Sequence, residues 1–240
     1  EQLAAINLVT PMQNIITNFG SGITVAGAVL IAQYIGAGEK EDARSMANQI
    51  FICAMGFAVV CAALCFLRTP AIVNWLGADG GTAYYARVYL RVVIWDMPFL
   101  YMVNIFSAVH QAQGDTVRPM LLNLGGITLN LFLDPFFMII LDMGTAGAAL
   151  ATLLAKAVPA TVAFALLCRP ENDICLNRRY MRLQKEKLGM ILKVGLPTAI
   201  GGSTMQLGFL LMSKNVFVYG TEAMAAYGIG NKVNGLITLP

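Results

Sequence analysis

Seven apolar stretches, each long enough to cross a bilayer, follow one another along this chain of 240 residues. They fall at about 3–35, 46–67, 83–113, 119–141, 144–168, 189–219 and 222–240, and a helix of roughly 20 residues spans the ~30 Å hydrocarbon core. Strands do not fit: the runs are too long, and none alternates with a period of two. The expected fold class is therefore all-α, a polytopic membrane helix bundle. Composition agrees. Charged residues make up 12% of the chain, about half the share that a soluble domain of this size carries on its surface, so most of the surface is expected to meet lipid. The third run is the least apolar, with Arg87, Arg91 and Asp96 in its first half, and its early part is expected in the headgroup region. Between the second and third runs, Pro70–Leu76 with Trp75 reads as a short interfacial segment.

Charge in the connections sets the orientation. The loops after runs one, three and five carry Lys40 and Arg44, then Arg118, then Arg169, Arg178, Arg179, Arg182, Lys185 and Lys187. The opposite loops offer Arg68 and little else. The positive-inside rule thus places the loops near 36–46, 114–118 and 168–188 in the cytoplasm and Glu1 outside. Five cysteines show no metal or disulfide spacing, and Cys175, in the basic loop, is expected to be cytosolic and reduced.

The two ends resemble each other. Glu1-Gln-Leu-Ala-Ala-Ile-Asn-Leu is echoed by Glu222-Ala-Met-Ala-Ala-Tyr-Gly-Ile, and Ile16-Thr17 by Ile237-Thr238 at the same offset. Six spans separate the copies, so both have the same orientation. That pattern suits two six-helix halves related by an axis along the membrane normal, about twelve spans in all. Residues 1–187 then read as an amino-terminal half lacking its first helix, with a cytoplasmic linker, and 188–240 as the truncated start of a carboxy-terminal half. With no initiator Met at position 1 and an apolar run at the end, the chain reads as a fragment of a longer protein.

Polar residues inside the runs mark candidate sites. Asn130 and Asp134 sit one turn apart in run four, and Asn123 lies two turns before Asn130. These spacings put all three on one helix face. A carboxylate in a membrane span is costly and persists where it faces protein or a water-filled path, which points to an ion-handling site. For Asn123 alone an interhelical hydrogen bond is the simpler account. In run one, Asn7, Thr10, Asn14, Thr17, Ser21 and Thr24 form one polar stripe at spacings of three and four, expected to line a cavity or meet other polar helices. In run three, Asp96, Asn104, Ser107 and Gln111 share an arc beside His110, which is expected to act as an interfacial hydrogen-bonder. There is no nucleotide-binding loop: Gly36 and Gly38 lead to Glu39, Glu41 and Asp42, without the required lysine. Uphill transport would then need an ion gradient or a separate ATPase subunit. A membrane-embedded enzyme is disfavoured, because Asp96 and His110 lie about 14 positions apart, roughly 21 Å along one helix.

Several blocks resemble the multidrug and toxic-compound extrusion (MATE) family of antiporters. They are Gln113-Gly-Asp-Thr-Val-Arg-Pro119, Asn130-Leu-Phe-Leu-Asp134-Pro135 and Gly144-Thr-Ala-Gly-Ala-Ala-Leu-Ala-Thr152. Gly27–Gly38, Trp75-Leu-Gly-Ala78 and Val194-Gly-Leu-Pro197 are similar to its other blocks, in order. The resemblance covers the whole chain and implies that it runs from the family's second helix into its eighth. It further implies a proton or Na⁺ site at Asn130, Asp134, Thr152 and Asn104, with Na⁺ or H⁺ binding there alternating with an organic, often cationic, substrate in a central cavity. No other cofactor, no catalytic residue and no nucleic acid is expected. The expected partners are a small organic substrate and the lipid bilayer, with the full-length protein a monomer in a bacterial plasma (inner) membrane. A lipid-linked precursor flippase of related architecture is the alternative.

The chain departs from the family pattern in three places. The family's first-helix acidic residue would lie before Glu1. Run six has Gln206 but no carboxylate. Lys156 stands where a neutral polar residue, commonly Gln, is expected. Runs four and five are antiparallel neighbours across a short turn, so counting 1.5 Å per residue places Lys156 near the depth of Asn130, and its ammonium leans toward Asp134. An ion pair of Lys156 with Asp134 is the expectation, the lysine taking the place of the coupling cation. The alternative leaves Lys156 facing another helix or a watery cavity.

Overall fold

The structure, a computed structural model, describes residues 2–77, 80–169, 174–177, 180 and 183–237. These residues form α1 (Gln2–Gly36), α2 (Lys40–Trp75), α3 (Gly80–Val93), α4 (Met97–Ala112), α5 (Val117–Pro135), α6 (Gly144–Leu167), α7 (Lys185–Phe217) and α8 (Thr221–Ile237). Among the described residues there is no strand. Among the described residues five segments are long and apolar enough to cross a membrane: Met12–Gly36, Lys40–Trp75, Gly81–Ala112, Val117–Ile140 and Ala146–Leu167. The chain is an all-α membrane helix bundle, as its apolar runs require.

Prolines decide where the helices depart from regularity. Pro98 has no N–H to give the carbonyl of residue 94 and crowds it. The chain therefore passes through one 3₁₀ turn, Ile94–Asp96, before α4 begins, with the Met97 amide bonded to the Ile94 carbonyl. This break falls at the middle of the third span. Pro135 acts likewise on α5: the following turn, Phe136–Ile140, widens to a π-helix, and the Leu141 amide reaches back five residues to Phe136 at 3.1 Å.

Pro70 behaves differently, and the segment at 70–76 is the end of α2 rather than a separate short element. The helix α2 runs unbroken through Pro70 to Trp75. The hydroxyl of Thr69, fully buried, donates to the Cys65 and Phe66 carbonyls at 2.9 and 3.1 Å. It supplies the bond that the proline cannot make, the usual way a membrane helix tolerates proline. At 36 residues, α2 is longer than any bilayer core, so its ends extend beyond the hydrocarbon. At its far end Trp75 receives the ammonium of Lys214, near the end of α7, 4.5 Å from its ring centroid.

Three apolar clusters stack through the bundle. One, around Ile31, Met46, Ile50, Phe106 and Leu167, lies toward the 168–184 linker. Another, around Val73, Ile94, Leu210 and Met224, closes the opposite end. Between them Met97 and Tyr101 pack on Ala58, and the Tyr101 hydroxyl donates to the Ile16 carbonyl at 2.9 Å. By contrast α5 turns Leu121, Leu124, Ile127, Leu131 and Phe132 outward.

The first and seventh helices meet at glycine. A Cβ at Gly22 would lie 2.6 Å from the Gly195 oxygen, and one at Gly195 would lie 2.8 Å from the Gly22 oxygen. Only hydrogen at these two positions lets the backbones approach so closely. The linker is tied to the start of α2 by two buried amides. Asn48 accepts from the Asn177 amide and Gln49 from the Gln184 amide, both at 3.1 Å. Lys187 adds an ion pair to Asp42 at 2.9 Å, and the Tyr180 hydroxyl donates to Glu41. Cys175 lies in this docked segment, and all five cysteines are free thiols.

Candidate functional site

Between α4, α5 and α6 lies a cavity of about 250 Å³. Its polar wall consists of Asn123 and Asn130 from α5 with Thr152 and Lys156 from α6; Leu122 and Pro159 are among its apolar lining. The positions follow from helix geometry: a spacing of seven on α5 and of four on α6 sets each pair on one face. Gly126 keeps the helices close, since a Cβ there would sit 3.1 Å from the Ala155 oxygen. The Asn123 amide turns back to the Pro119 carbonyl at 3.0 Å and the Thr152 hydroxyl to Ala148 at 2.9 Å. Asn130 instead donates its side-chain amide to Asp134 Oδ1 at 3.2 Å. The carboxylate thus stands one hydrogen bond behind the cavity wall, on the last turn before Pro135 widens the helix. Asn130 and Thr152 line the same cavity, and Asp134 is bonded to Asn130. Asn104, half-buried on α4, is not among the residues lining this cavity.

Lys156 does not pair with Asp134. Its ammonium lies 2.5 Å from Asp96 Oδ2, and the expected partner is corrected accordingly. The physical reason is a third element. A depth count along α5 and α6 ignores the 3₁₀ turn at Ile94–Asp96, which brings Asp96 against α6. Asp96 is completely buried, whereas Asp134 is only partly so and already holds Asn130. A carboxylate stripped of water has the greater need of a cation. The pair leaves Asp96 Oδ1 buried with no hydrogen-bond partner among the described residues. Asp96, expected as cavity lining, is instead a buried counter-charge just behind it.

Tyr89 was not singled out in the sequence. It lies seven residues before Asp96, on the same helical face, and is near enough to feel the charges of both Asp96 and Asp134. The i,i+7 spacing across the third run was the available signal, hidden by the break between α3 and α4.

The stripe on α1 is divided between partners. Asn14 donates to Gln206 of α7 at 3.4 Å, and Asn7 packs against Gly228 of α8. Thr10, Thr17, Ser21 and Thr24 return their hydroxyls to carbonyls of their own helix three or four residues earlier, at 2.7–3.0 Å. Thr24 is buried, and the other three are half-buried. His110 sits over Phe106 with ring centroids 4.0 Å apart, and its Nδ1 lies 2.9 Å from the Phe106 carbonyl. A carbonyl can only accept, so that nitrogen carries the proton.

The arrangement has close counterparts. The family model described as MatE matches residues 1–136. Over 227 residues the chain is 26% identical to the multidrug export protein MepA of Staphylococcus saprophyticus, covering 95% of this chain and 50% of that one. It is 32% identical over 225 residues to the probable multidrug resistance protein NorM of Thermotoga maritima, covering 90% and 47%. The fold superposes on the inward-facing conformation of a multidrug resistance MATE family transporter of the MOP superfamily with a TM-score of 0.92 at 26% identity, over 98% of this chain and 54% of that one. Against an outward-facing conformation the TM-score is 0.85 at 27% identity, over 97% and 52%. The chain thus spans about half the length of the relatives it matches. Sequence, helix order and the shared superposition agree, and the chain belongs to the MatE family.

Proposed function

We propose that the protein of which these residues form part exports organic, often cationic, compounds by ion-coupled antiport. Residues 1–187 contribute to one half of the transporter and 188–240 begin the other, with the 168–188 segment cytoplasmic. The half-buried polar edge of α1 borders the substrate path, where Thr10, Thr17 and Ser21 present hydroxyls whose hydrogens are already committed and whose lone pairs can accept. Alternating access then moves the two halves about the α1–α7 contact. The greater likeness to an inward-facing relative than to an outward-facing one supports assigning this arrangement to the inward-open state.

The observation that carries the coupling is the Asn130–Asp134 bond at the wall of a cavity that Thr152 shares. A carboxylate can take up a proton, and the carboxylate, amide and hydroxyl oxygens are also the hard ligands that Na⁺ takes. Binding of either ion neutralises a charge inside the bilayer and so changes the relative energies of the two conformations. The test uses full-length protein in proteoliposomes loaded with a fluorescent organic cation. Imposing a pH or Na⁺ gradient should drive efflux against the dye gradient, and collapsing it with an ionophore should stop uphill movement. Efflux indifferent to both gradients would remove the antiport reading, and no efflux of any organic cation would favour a lipid-linked cargo.

A further inference from the structure

The first stretch of the linker is strapped to the amino-terminal half. Ile174 and Leu176 are buried in the apolar cluster around Ile31, Met46 and Phe106. Asn48, fully buried on α2, accepts from the Asn177 amide at 3.1 Å, and its own side-chain amide lies 3.5 Å from the Cys175 carbonyl. The Leu176 amide donates to the carbonyl of Leu167, the last residue of α6, at 2.9 Å. Cys168 follows α6 directly and Cys175 lies in the strap, so each is the next residue inside that bond. The chain reversal sets the two side by side, and Cys168 feels the charge of Cys175. Both are free thiols, Cys168 exposed and Cys175 half-buried.

We propose that Cys168 and Cys175 form a modification site, a dithiol that an oxidant of the peroxide class closes into a reversible disulfide. Their spacing carries no disulfide signature; the fold brings them together. A disulfide requires Cα atoms within about 7 Å of each other, and the Leu176–Leu167 bond is what holds the two ends of the connection at that point. The chemistry balances in two steps. Cys168, the exposed member, attacks one peroxide oxygen as the thiolate; with the thiol's proton this gives a sulfenic acid and one water. The Cys175 sulfur then attacks the Cys168 sulfur, and the sulfenic oxygen leaves with the second thiol proton as another water. Two thiols and one peroxide thus become one disulfide and two waters. Burial and the neighbouring Cys175 push the Cys168 thiol up. On the cytoplasmic side, where the proposed function places this segment, thiols are kept reduced, so the resting form is the dithiol. The bond closes a ring of eight residues, 168–175. It fixes the strap to the end of α6 without joining the two halves, since α7 begins beyond it at Lys185.

The test reads the bond itself. Full-length protein in membrane vesicles is exposed to hydrogen peroxide, remaining thiols are blocked with N-ethylmaleimide, and the peptides are analysed by mass spectrometry. The segment holding Cys168 and Cys175 should lose both alkylation sites and become lighter by two hydrogens, and dithiothreitol should restore both. C168S and C175S should each abolish the product. Both thiols still alkylated after peroxide, Cys168 carried on to the sulfinic acid, or either cysteine joined to a different thiol would overturn the proposal. A second measurement addresses the strap. N48A removes the side chain that holds the strap to α2 and should lower Tm. Peroxide should recover part of that loss in N48A and none in N48A/C168S. If N48A does not fold, the wild type's own peroxide-dependent rise in Tm, absent in C168S, takes its place. A disulfide that forms without raising Tm in either comparison would refute its role in fixing the strap.

Discussion

Replacing Lys156 by glutamine should destabilise the protein by about 3 kcal/mol, and adding D96N should return most of that loss. Breaking a buried ion pair from one side typically costs about 3–5 kcal/mol, because the partner is left charged and dry. Asp96 fits this case: it is fully buried, and among the described residues only one of its oxygens has a partner. The lower end of the range applies because Lys156 reaches the cavity and part of its charge is already hydrated there. The reverse change, D96N alone, should be milder, since a freed ammonium on a four-carbon stem can draw into the cavity. The double-mutant cycle, followed by thermal unfolding of the full-length protein, should therefore show strong non-additivity. Additive losses from the two single variants would mean that the pair contributes nothing as a unit.

At the α1–α7 contact, G22L should push the helices apart and reduce efflux to background. The atom that a new side chain meets first is the Gly195 carbonyl oxygen, and the next is Ala199 Cβ at 2.8 Å. Neither can rotate away, so the helix axes must separate. Overpacking of this kind costs about 1–3 kcal/mol where side chains can adjust, and more is expected where the obstacle is backbone. Gly202, on α7, provides the control. A Cβ there meets only Asn18 atoms at 3.5 Å and beyond, an ordinary contact, so G202A should leave both Tm and efflux near wild type. Equal behaviour of G22L and G202A would show that the close approach has no consequence for transport.

Helix positions were legible because hydrophobic length is nearly sufficient in a membrane protein. The run expected at 119–141 became α5 and its π turn, ending at Ile140, and the run at 144–168 became α6, ending at Leu167. The prolines were harder. Pro98 falls inside an apolar run and Pro70 just beyond one, but only Pro70 has a buried threonine hydroxyl beside it to satisfy the released carbonyl. A single sequence does not reveal which way that hydroxyl turns. The grouping of Asn130 with Thr152 came from the family resemblance, and counting inward from the short turn placed Thr152 near the depth of Asp134. The Lys156 partner was beyond such counting, because it depends on a third element whose position is set by packing against α6. Pairwise depth arithmetic finds charges at the same level but cannot choose between two carboxylates. Burial makes that choice, and burial is a property of the whole bundle.

If Asp134 couples ion movement to export, one comparison shows it directly. Full-length wild type and D134N are placed in the same proteoliposomes, and dye efflux is followed with and without an imposed pH gradient. The mutation retains the shape of the side chain and its capacity to accept from Asn130, so the fold should be preserved. Coupling at this residue requires that D134N lose uphill, gradient-driven efflux while still exchanging dye down its own concentration gradient. Uphill efflux at the wild-type rate in D134N would contradict the claim and leave Asp134 as a packing residue beside Asn130.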